Sequence, residues 1–585
     1  MFTAIKKIGM VLTGRQKSRI WLLFFIMVIG AGLEVVGVSL MVPLITAITM
    51  PEIIEKNGLI ASVCGFFGIT SHKSFILLCV ITLIVVFIGK NLFLMFEYYA
   101  QARFVYNSRF YTQYRLMHLF LNRPYEFYLG VSTGDVLQLI QGDVQNVYAL
   151  LMTLLSMTSE LVVAFALVVT IFIVDWKMTV TVAVMLSLTI FLILKCIRPK
   201  LREAGREFHR NNRCLNKWLI QSVSGIKEIK TTQRGPFFEE SFLNSGKRTI
   251  SAEKKMMVMN NMPRLLIEMV SVVSMLSILA IQILCGSELE AMLPSLGAFA
   301  MAAIKLMPSA NRVINGANAL TYNMPAVDEL IEHLKDPEVR DTFFGNAGKG
   351  TATVEAQRRF TSFTGQIELK DVTYAYPNTG RNVLEHVSMQ IPIGKSVGVV
   401  GSSGAGKTTA VDILLGLLEP QSGAVLADGT DIREDYPHYL SCIGYIPQMI
   451  FMLDDTIRAN VAFGISEDRI SDEQVWKSLQ EACLADFVRG LPNGLDTQIG
   501  ERGLRISGGQ RQRIGIARAL YQNPDILFFD EATSSLDNET ESAIMESIQA
   551  LHGKKTMIII AHRLQTIEGC DMVYRVSNGK ITMEK

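Results

Sequence analysis

The chain divides in two by the spacing of its apolar residues. In the first half the apolar runs are long enough to cross a hydrocarbon core, which takes ~20 helical residues. Six spans are predicted: Ile20–Ile48, Phe75–Tyr98, Val147–Val174, Met178–Ile197, Leu265–Cys285 and Ala291–Pro308. Only Asp175-Trp176-Lys177 separates the third from the fourth, which predicts a tight hairpin with an aromatic at the membrane interface. After the second and fourth spans the chain reads as long helices with polar faces. Each is broken once, at RPYEFYLGVSTGD (Arg123–Asp135) and SVSGIKEIKTT (Ser222–Thr232). Such a break is either the bare turn of a solvated helical extension or a tip that docks on a soluble partner. In the second half, short β-branched or apolar runs alternate with helical stretches, the pattern of an α/β domain. A charged, then Gly/Ala/Thr-rich stretch between the halves suits a linker. The expected organisation is a six-helix transmembrane domain with long cytoplasmic extensions over 1–324, a linker over 325–363 and an α/β domain over 364–585.

Charge orients this arrangement. Lys6, Lys7, Arg15, Lys17 and Arg19 precede the first span, Arg103, Arg109, Arg115 and Arg123 follow the second, and Lys195, Arg198, Lys200, Arg202 and Arg206 follow the fourth. Basic loops stay inside, so these segments and both termini are expected in the cytoplasm. The links Pro51–Lys73, Asp175–Lys177 and Gly286–Glu290 then face outward. No short apolar core precedes a small-residue cleavage site, so no removable signal peptide is expected. Over 585 residues the net charge is only +2, which gives no reason to expect a nucleic-acid partner. The eight cysteines are scattered without a CxxC pair, against a disulfide framework or a zinc site.

The chemistry lies in the second half. SVGVVGSSGAGKTTAVDILLGLL (Ser396–Leu418) is a buried-strand run, a glycine-rich loop and a helix, the setting a P-loop requires. Backbone N–H groups of Gly401, Ser402, Ser403, Gly404, Ala405 and Gly406 can wrap phosphates. Lys407 supplies charge to the outer phosphates, Thr408 offers a hydroxyl to Mg²⁺, and Thr409 continues the cradle. PDILFFDEATSSLD (Pro524–Asp537) reads as a buried parallel strand ending in two acids, at the edge of an open α/β sheet where ligands sit. Asp530 suits a Mg²⁺ contact and Glu531 suits orienting or deprotonating the attacking water. A second anion-binding turn, LRISGGQRQR (Leu504–Arg513), opens another helix, and one phosphate group does not obviously need both.

These motifs resemble those of ATP-binding-cassette (ABC) ATPases. Ile506-Ser507-Gly508-Gly509-Gln510 is similar to the family's signature, with Ile where Leu is usual. Tyr376 resembles the aromatic that stacks on adenine, Gln448 the Q-loop glutamine that reaches catalytic site and metal, Glu501-Arg502-Gly503 the X-loop, Ser535-Leu536-Asp537 the D-loop, and His562 the switch histidine. The resemblance covers Ile367–Lys585 and, with six spans before it, implies an ABC exporter half-transporter. It implies ATP and Mg²⁺ as cofactors, and head-to-tail pairing in which Ser507, Gly508, Gly509 and Gln510 of one copy close over ATP on the P-loop of the other. A homodimer is the simplest pairing.

Charges inside spans are expensive, ~2.5–3.5 kcal/mol each on insertion scales. Glu34, Lys90, Glu160, Glu268 and Lys305 lie in or near spans, with Arg264 and Arg312 at probable edges. They either pair internally or snorkel to the headgroups, or their cations line a cavity for an anionic substrate. GAGLEVVGVSLMVPLITAIT (Gly30–Thr49) is similar to the first span of lipid-linked oligosaccharide flippases of the PglK type. That resemblance implies that Lys90, Arg264 and Lys305 meet a lipid pyrophosphate, although Lys stands at two positions where Arg is expected, without its bidentate geometry. The apolar outward segment Ile53–Ile69 then either holds a polyprenyl tail or is a plain interfacial helix. Export of a peptide, lipid or drug is the alternative.

Overall fold

A computed structural model describes residues 2–40, 44, 72–131, 133–174, 176–284, 309–320, 324, 327–335, 363–377, 379–500, 503–530, 548, 551–561 and 567–585. The sixth predicted span, most of 41–48 and the segment Ile53–Ile69 lie outside these residues. The chain forms two compact units. One comprises Met1–Asn122 and Ser132–Gly350, the other Arg123–Val131 and Thr351–Lys585.

The first unit is helical. After α1 (Phe2–Val11), the long helices α2 (Gly14–Ser39) and α3 (His72–Leu121) run through the first two predicted spans. The short α4 (Tyr125–Leu129) belongs to the second unit. Next come α5 (Thr133–Leu137), a π turn over Gln138–Asp143 and α6 (Val144–Val174). The remaining helices are α7 (Trp176–Ser224), α8 (Ile226–Thr232) and α9 (Gly235–Leu284). Among the described residues, the stretches Gly14–Gly37, Lys73–Leu121 and Gly134–Val169 are long and apolar enough to cross a membrane. Helices of 49 and 50 residues reach ~75 Å, more than twice the ~30 Å of a hydrocarbon core, so α3, α7 and α9 must project beyond it. Both predicted breaks are present. The second is a one-turn kink at Gly225 followed by α8, which ends on left-handed Gln233 (φ 55°).

Helix α2 buries Leu23, Met27 and Ala31, one every helical turn, against α3 and α6. Helix α3 is patterned the opposite way from a soluble helix. It buries Lys90, Glu97, Gln101, Ser108 and Thr112 and exposes Leu77, Ile81, Ile84, Ile88 and Leu92. Lipid is a good solvent for the exposed row, while polar groups must find partners inside the bundle. The Thr112 and Tyr148 hydroxyls do so at 2.7 Å, joining α3 to α6.

The second unit holds two sheets. The first is antiparallel, in the order β2-β1-β4-β5, from β1 (Gln366–Tyr374), β2 (Leu384–Pro392), β4 (Ser422–Ala427) and β5 (Thr430–Asp431). The second contains β3 (Ser396–Val400), β6 (Ile443–Ile446), β7 (Ile526–Asp530), β8 (Thr556–Ile560), β9 (Met572–Ser577) and β10 (Lys580–Met583). Its order is β10-β9-β3-β8-β7-β6, parallel except for β10. Strands β7 and β8 are apolar at every position except their outer ends because both faces are covered. Ile526, Phe528, Ile558 and Ile560 enter one core with β1, β2 and α10 (Lys407–Leu414). Leu527, Phe529, Met557 and Ile559 enter another. That second core also contains α12 (Ile457–Val461), α13 (Asp472–Glu481) and α14 (Ala485–Arg489), with α11 (Tyr436–Ser441) preceding them in the chain. It is completed by α15 (Gly508–Leu520).

Candidate functional site

Strand β3 ends at Val400 and the chain turns through 401–406 into α10. The loop has no room for side chains at its start, since a Cβ on Gly401 would lie 2.3 Å from the Val576 carbonyl oxygen. Gly404 (φ 75°) and Gly406 (φ 103°) adopt left-handed backbone that a side chain disfavours. Ser402, Ser403 and Gly404 are exposed, leaving their backbone to an incoming ligand, and Ala405 donates its N–H to the Ser402 carbonyl at 3.2 Å. Lys407, 4% exposed, donates its ammonium to the carbonyls of Gly401 (2.9 Å) and Ser402 (3.1 Å). Its charge is therefore held over the glycine loop rather than in solvent.

The surroundings fit a nucleotide with a divalent cation. Thr408 is exposed at the first turn of α10, while Thr409 is buried and shares a 2.9 Å hydrogen bond with the Tyr376 hydroxyl. Tyr376 is thereby anchored beside the P-loop with its ring edge-on to Tyr374, 5.3 Å between centroids. Strand β7 delivers Asp530, 6% exposed, at its carboxyl end, where Tyr445 of β6 donates to Oδ2 at 3.4 Å. Burial first, then the Asp530 charge, pushes the Asp412 carboxyl up to about 6. Burial and the same two acids also raise the Tyr445 hydroxyl. Gln448 is exposed just past β6.

The signature turn is built differently. Ser507 caps α15, its Oγ accepting the Gln510 N–H at 3.2 Å while the Ser507 N–H donates to Gln510 Oε1 at 2.8 Å. This reciprocal box holds an exposed Ser507-Gly508 edge at a helix N-terminus, where the dipole favours anions. The two glycine turns lead into helices on opposite faces of the sheet. The P-loop helix α10 packs in the core containing Phe528, and α15 in the core containing Phe529.

Several functional expectations lie outside the described residues: Glu531, His562, Glu501, Arg502, Ser535–Asp537 and Lys305. The backbone of Arg264 lies in α9, but its side chain is not described. Sequence reasoning did not single out Glu126, Tyr374, Asp412 or Tyr445. Within the second unit, the Tyr374 hydroxyl donates to Glu126 Oε1 at 3.0 Å. A line of contacts therefore runs from α4 through Tyr374 and Tyr376 to Thr409. A tyrosine two residues before Tyr376 on an alternating strand was the only local signal for it.

In the first unit Lys90 is 2% exposed and its ammonium lies 3.2 Å from Glu34 Oε2 and 4.4 Å from the centre of the Phe87 ring. Arg312 donates to Glu160 Oε1 and, at 3.3 Å, to the Tyr98 hydroxyl. Lys90 is thus buried in an internal pair, as an unpaired ion inside an apolar bundle would be costly, whereas Arg312 pairs with Glu160 while its own side chain stays half exposed.

Two family models match the chain: "ABC transporter transmembrane region" over residues 20–300 and "ABC transporter" over 384–534. Among curated relatives, an ATP-dependent lipid A-core flippase from Methylobacillus flagellatus is 30% identical over 483 residues, 82% of this chain and 78% of that protein. The protein of that name from Burkholderia orbicola is 29% identical over 460 residues, 78% and 75% of the two chains. Among solved structures, a bacterial Atm1-family ABC exporter with ATP bound superposes with a TM-score of 0.73 at 22% identity, covering 95% of each chain.

Proposed function

This chain belongs to the ABC transporter family as an exporter half-transporter, an ATP-hydrolysing translocase whose helical membrane domain is fused to an ABC ATPase domain, and from that premise we propose that it acts as a homodimeric flippase for a polyprenyl-pyrophosphate-linked oligosaccharide. The flippase names of its relatives support movement of a lipid, and the Gly30–Thr49 resemblance supports the lipid-linked glycan. The observation that carries the mechanism is the placement of the P-loop helix and the capped signature helix in opposite cores of one domain. In one copy the two turns lead into helices on opposite faces of the sheet, which supports a pocket completed by a second copy.

In that pocket the P-loop backbone and Lys407 hold the phosphates. Thr408, Gln448 and Asp530 would hold Mg²⁺, which when bound neutralises charge between the outer phosphates. Tyr376 supports the base, Ser507 to Gln510 of the partner copy cap the terminal phosphate, Glu531 orients or deprotonates the attacking water, and His562 contacts the reacting group. The ATPase domains and both termini lie in the cytoplasm. Closure of the paired ATPase domains turns the cavity outward, and hydrolysis reverses it. Lys90, Arg264 and Lys305 are the candidate pyrophosphate ligands. For Lys90 this requires exchanging Glu34 for the substrate.

Export of a peptide or drug is the competing function. The test is a sealed proteoliposome assay with lipid-linked oligosaccharide. Wild type is expected to move it on adding ATP, and Glu531→Gln to bind ATP, turn over at least ~100-fold more slowly and accumulate as a closed dimer. Normal turnover by Glu531→Gln would remove its assigned role. ATP hydrolysis without glycan movement would remove the flippase reading.

A further inference from the structure

The first unit contains a cavity of about 430 Å³ bordered by α2, α3, α6 and the helical residues 309–320. Its polar lining includes Glu34, Glu97, Gln101, Ser159, Glu160 and Arg312. Two of the three carboxylates meet a base, Glu34 with Lys90 and Glu160 with Arg312. Glu97 meets none. It is 4% exposed, and its Oε1 accepts from Gln101 Nε2 at 2.9 Å and Ser159 Oγ at 3.0 Å. Its other oxygen, Oε2, is buried without a hydrogen-bond partner among the described residues. That oxygen fits only because position 30 is glycine, since a Cβ there would lie 2.3 Å from it. Among the described residues, three carboxylates stand against two bases, set among neutral polar groups inside a bundle with an apolar exterior.

We propose that this cavity is a substrate subsite for a cationic group, a primary ammonium carried by the transported amphiphile, with Glu97 as its counter-ion. A buried carboxylate with an open acceptor calls for a charged donor. A neutral hydroxyl would satisfy the acceptor but not the charge. The Tyr98 ring, which also lines the cavity, suits a cation for the same electrostatic reason. On a lipid-linked glycan the group would be an amino sugar or an aminoalkyl substituent. The inference rests on the transporter reading only in placing the cavity on the substrate's route.

The test uses the full-length protein in neutral phosphatidylcholine nanodiscs with three probes of equal chain length: dodecylamine, N-dodecylacetamide and dodecyl maltoside. Binding is read by thermal shift. Dodecylamine is expected to half-saturate at a concentration roughly tenfold or more below that of the acetamide, and Glu97→Gln to abolish the difference. Gly30→Ala keeps every charge but pushes the Glu97 carboxylate aside, and is expected to shrink the preference. It also serves if the glutamine variant does not fold. Equal binding of amine and acetamide by wild type, or a preference that survives both substitutions, overturns the proposal. Preferential binding of the maltoside overturns it in favour of a cavity that reads hydroxyl groups. Glycan movement in proteoliposomes is scored separately: amine selectivity without glycan movement sinks the flippase reading alone, and glycan movement without amine selectivity sinks the subsite alone.

Discussion

At the scale of single residues, the nucleotide end of the second unit concentrates charge in a nearly dry space. Lys407 is held by loop carbonyls, and Asp412 and Asp530 lie close enough for the charge of one to act on the other. Because burial and Asp530 raise the Asp412 carboxyl from 3.8 to about 6, the folded chain holds that proton better than the unfolded chain does. Its stabilising contribution is fully present below pH 3.8 and is lost as pH rises through about 6. Asp412→Asn is therefore expected to melt with wild type near pH 4 and above it beyond pH 6, as read by thermal unfolding across that range. A temperature gap that does not change with pH would contradict this environment for Asp412. The membrane charges teach a related lesson. Sequence marks Lys90 as costly, but its partner Glu34 stands 56 residues away with no periodicity linking them, so the pair was not legible.

At the scale of elements, motifs that encode their own backbone were the readable part. The P-loop needs a strand, a tight glycine turn and a helix in succession, and β3, 401–406 and α10 are what its composition demands. The signature likewise announces its helix through Ser507 and Gln510. Ser507→Ala should remove a reciprocal cap, costing ~1 kcal/mol of local stability. Faster amide exchange in the first turn of α15 is the expected readout, and unchanged exchange would mean that the box does not hold the turn. The contact of α4 with β1 was not readable, because Glu126 and Tyr374 are 248 residues apart. The break at Arg123–Asp135 suggested a docking tip without naming its receiver. Tyr374→Phe deletes that bond and is expected to raise hydrogen exchange across 123–131 in the full-length protein. Unaltered protection there would show that the bond does not hold the segment.

At the scale of the whole molecule, apolar run lengths predicted membrane helices followed by an α/β domain; the second to fifth spans lie in described helices to within one residue, the first is described as helix to Ser39, and the sixth lies outside the described residues. The extensions past the membrane were legible as well, from their polar faces and their breaks, and α3 and α7 end at Leu121 and Ser224, where those breaks were read. The dimer proposal makes its own prediction here. Lys407→Ala chains and Ser507→Arg chains should each be inactive alone. Co-reconstituted, they should recover part of the ATPase activity, because one of the two shared pockets is then built from intact halves. No recovery in mixed samples that contain both chains in one particle would contradict shared pockets.

The division of the chain into units also has a consequence for its biosynthesis. Nine residues of the ATPase unit, 123–131, leave the ribosome far ahead of the rest. At ~5–20 residues per second they wait tens of seconds for the strands they pack with. During that interval the aromatic turn has no final resting place, and membrane insertion of the later helices proceeds around it. An excised C-terminal fragment would never acquire this piece at all, so its solubility and nucleotide affinity would describe a different object from the ATPase of the intact polypeptide.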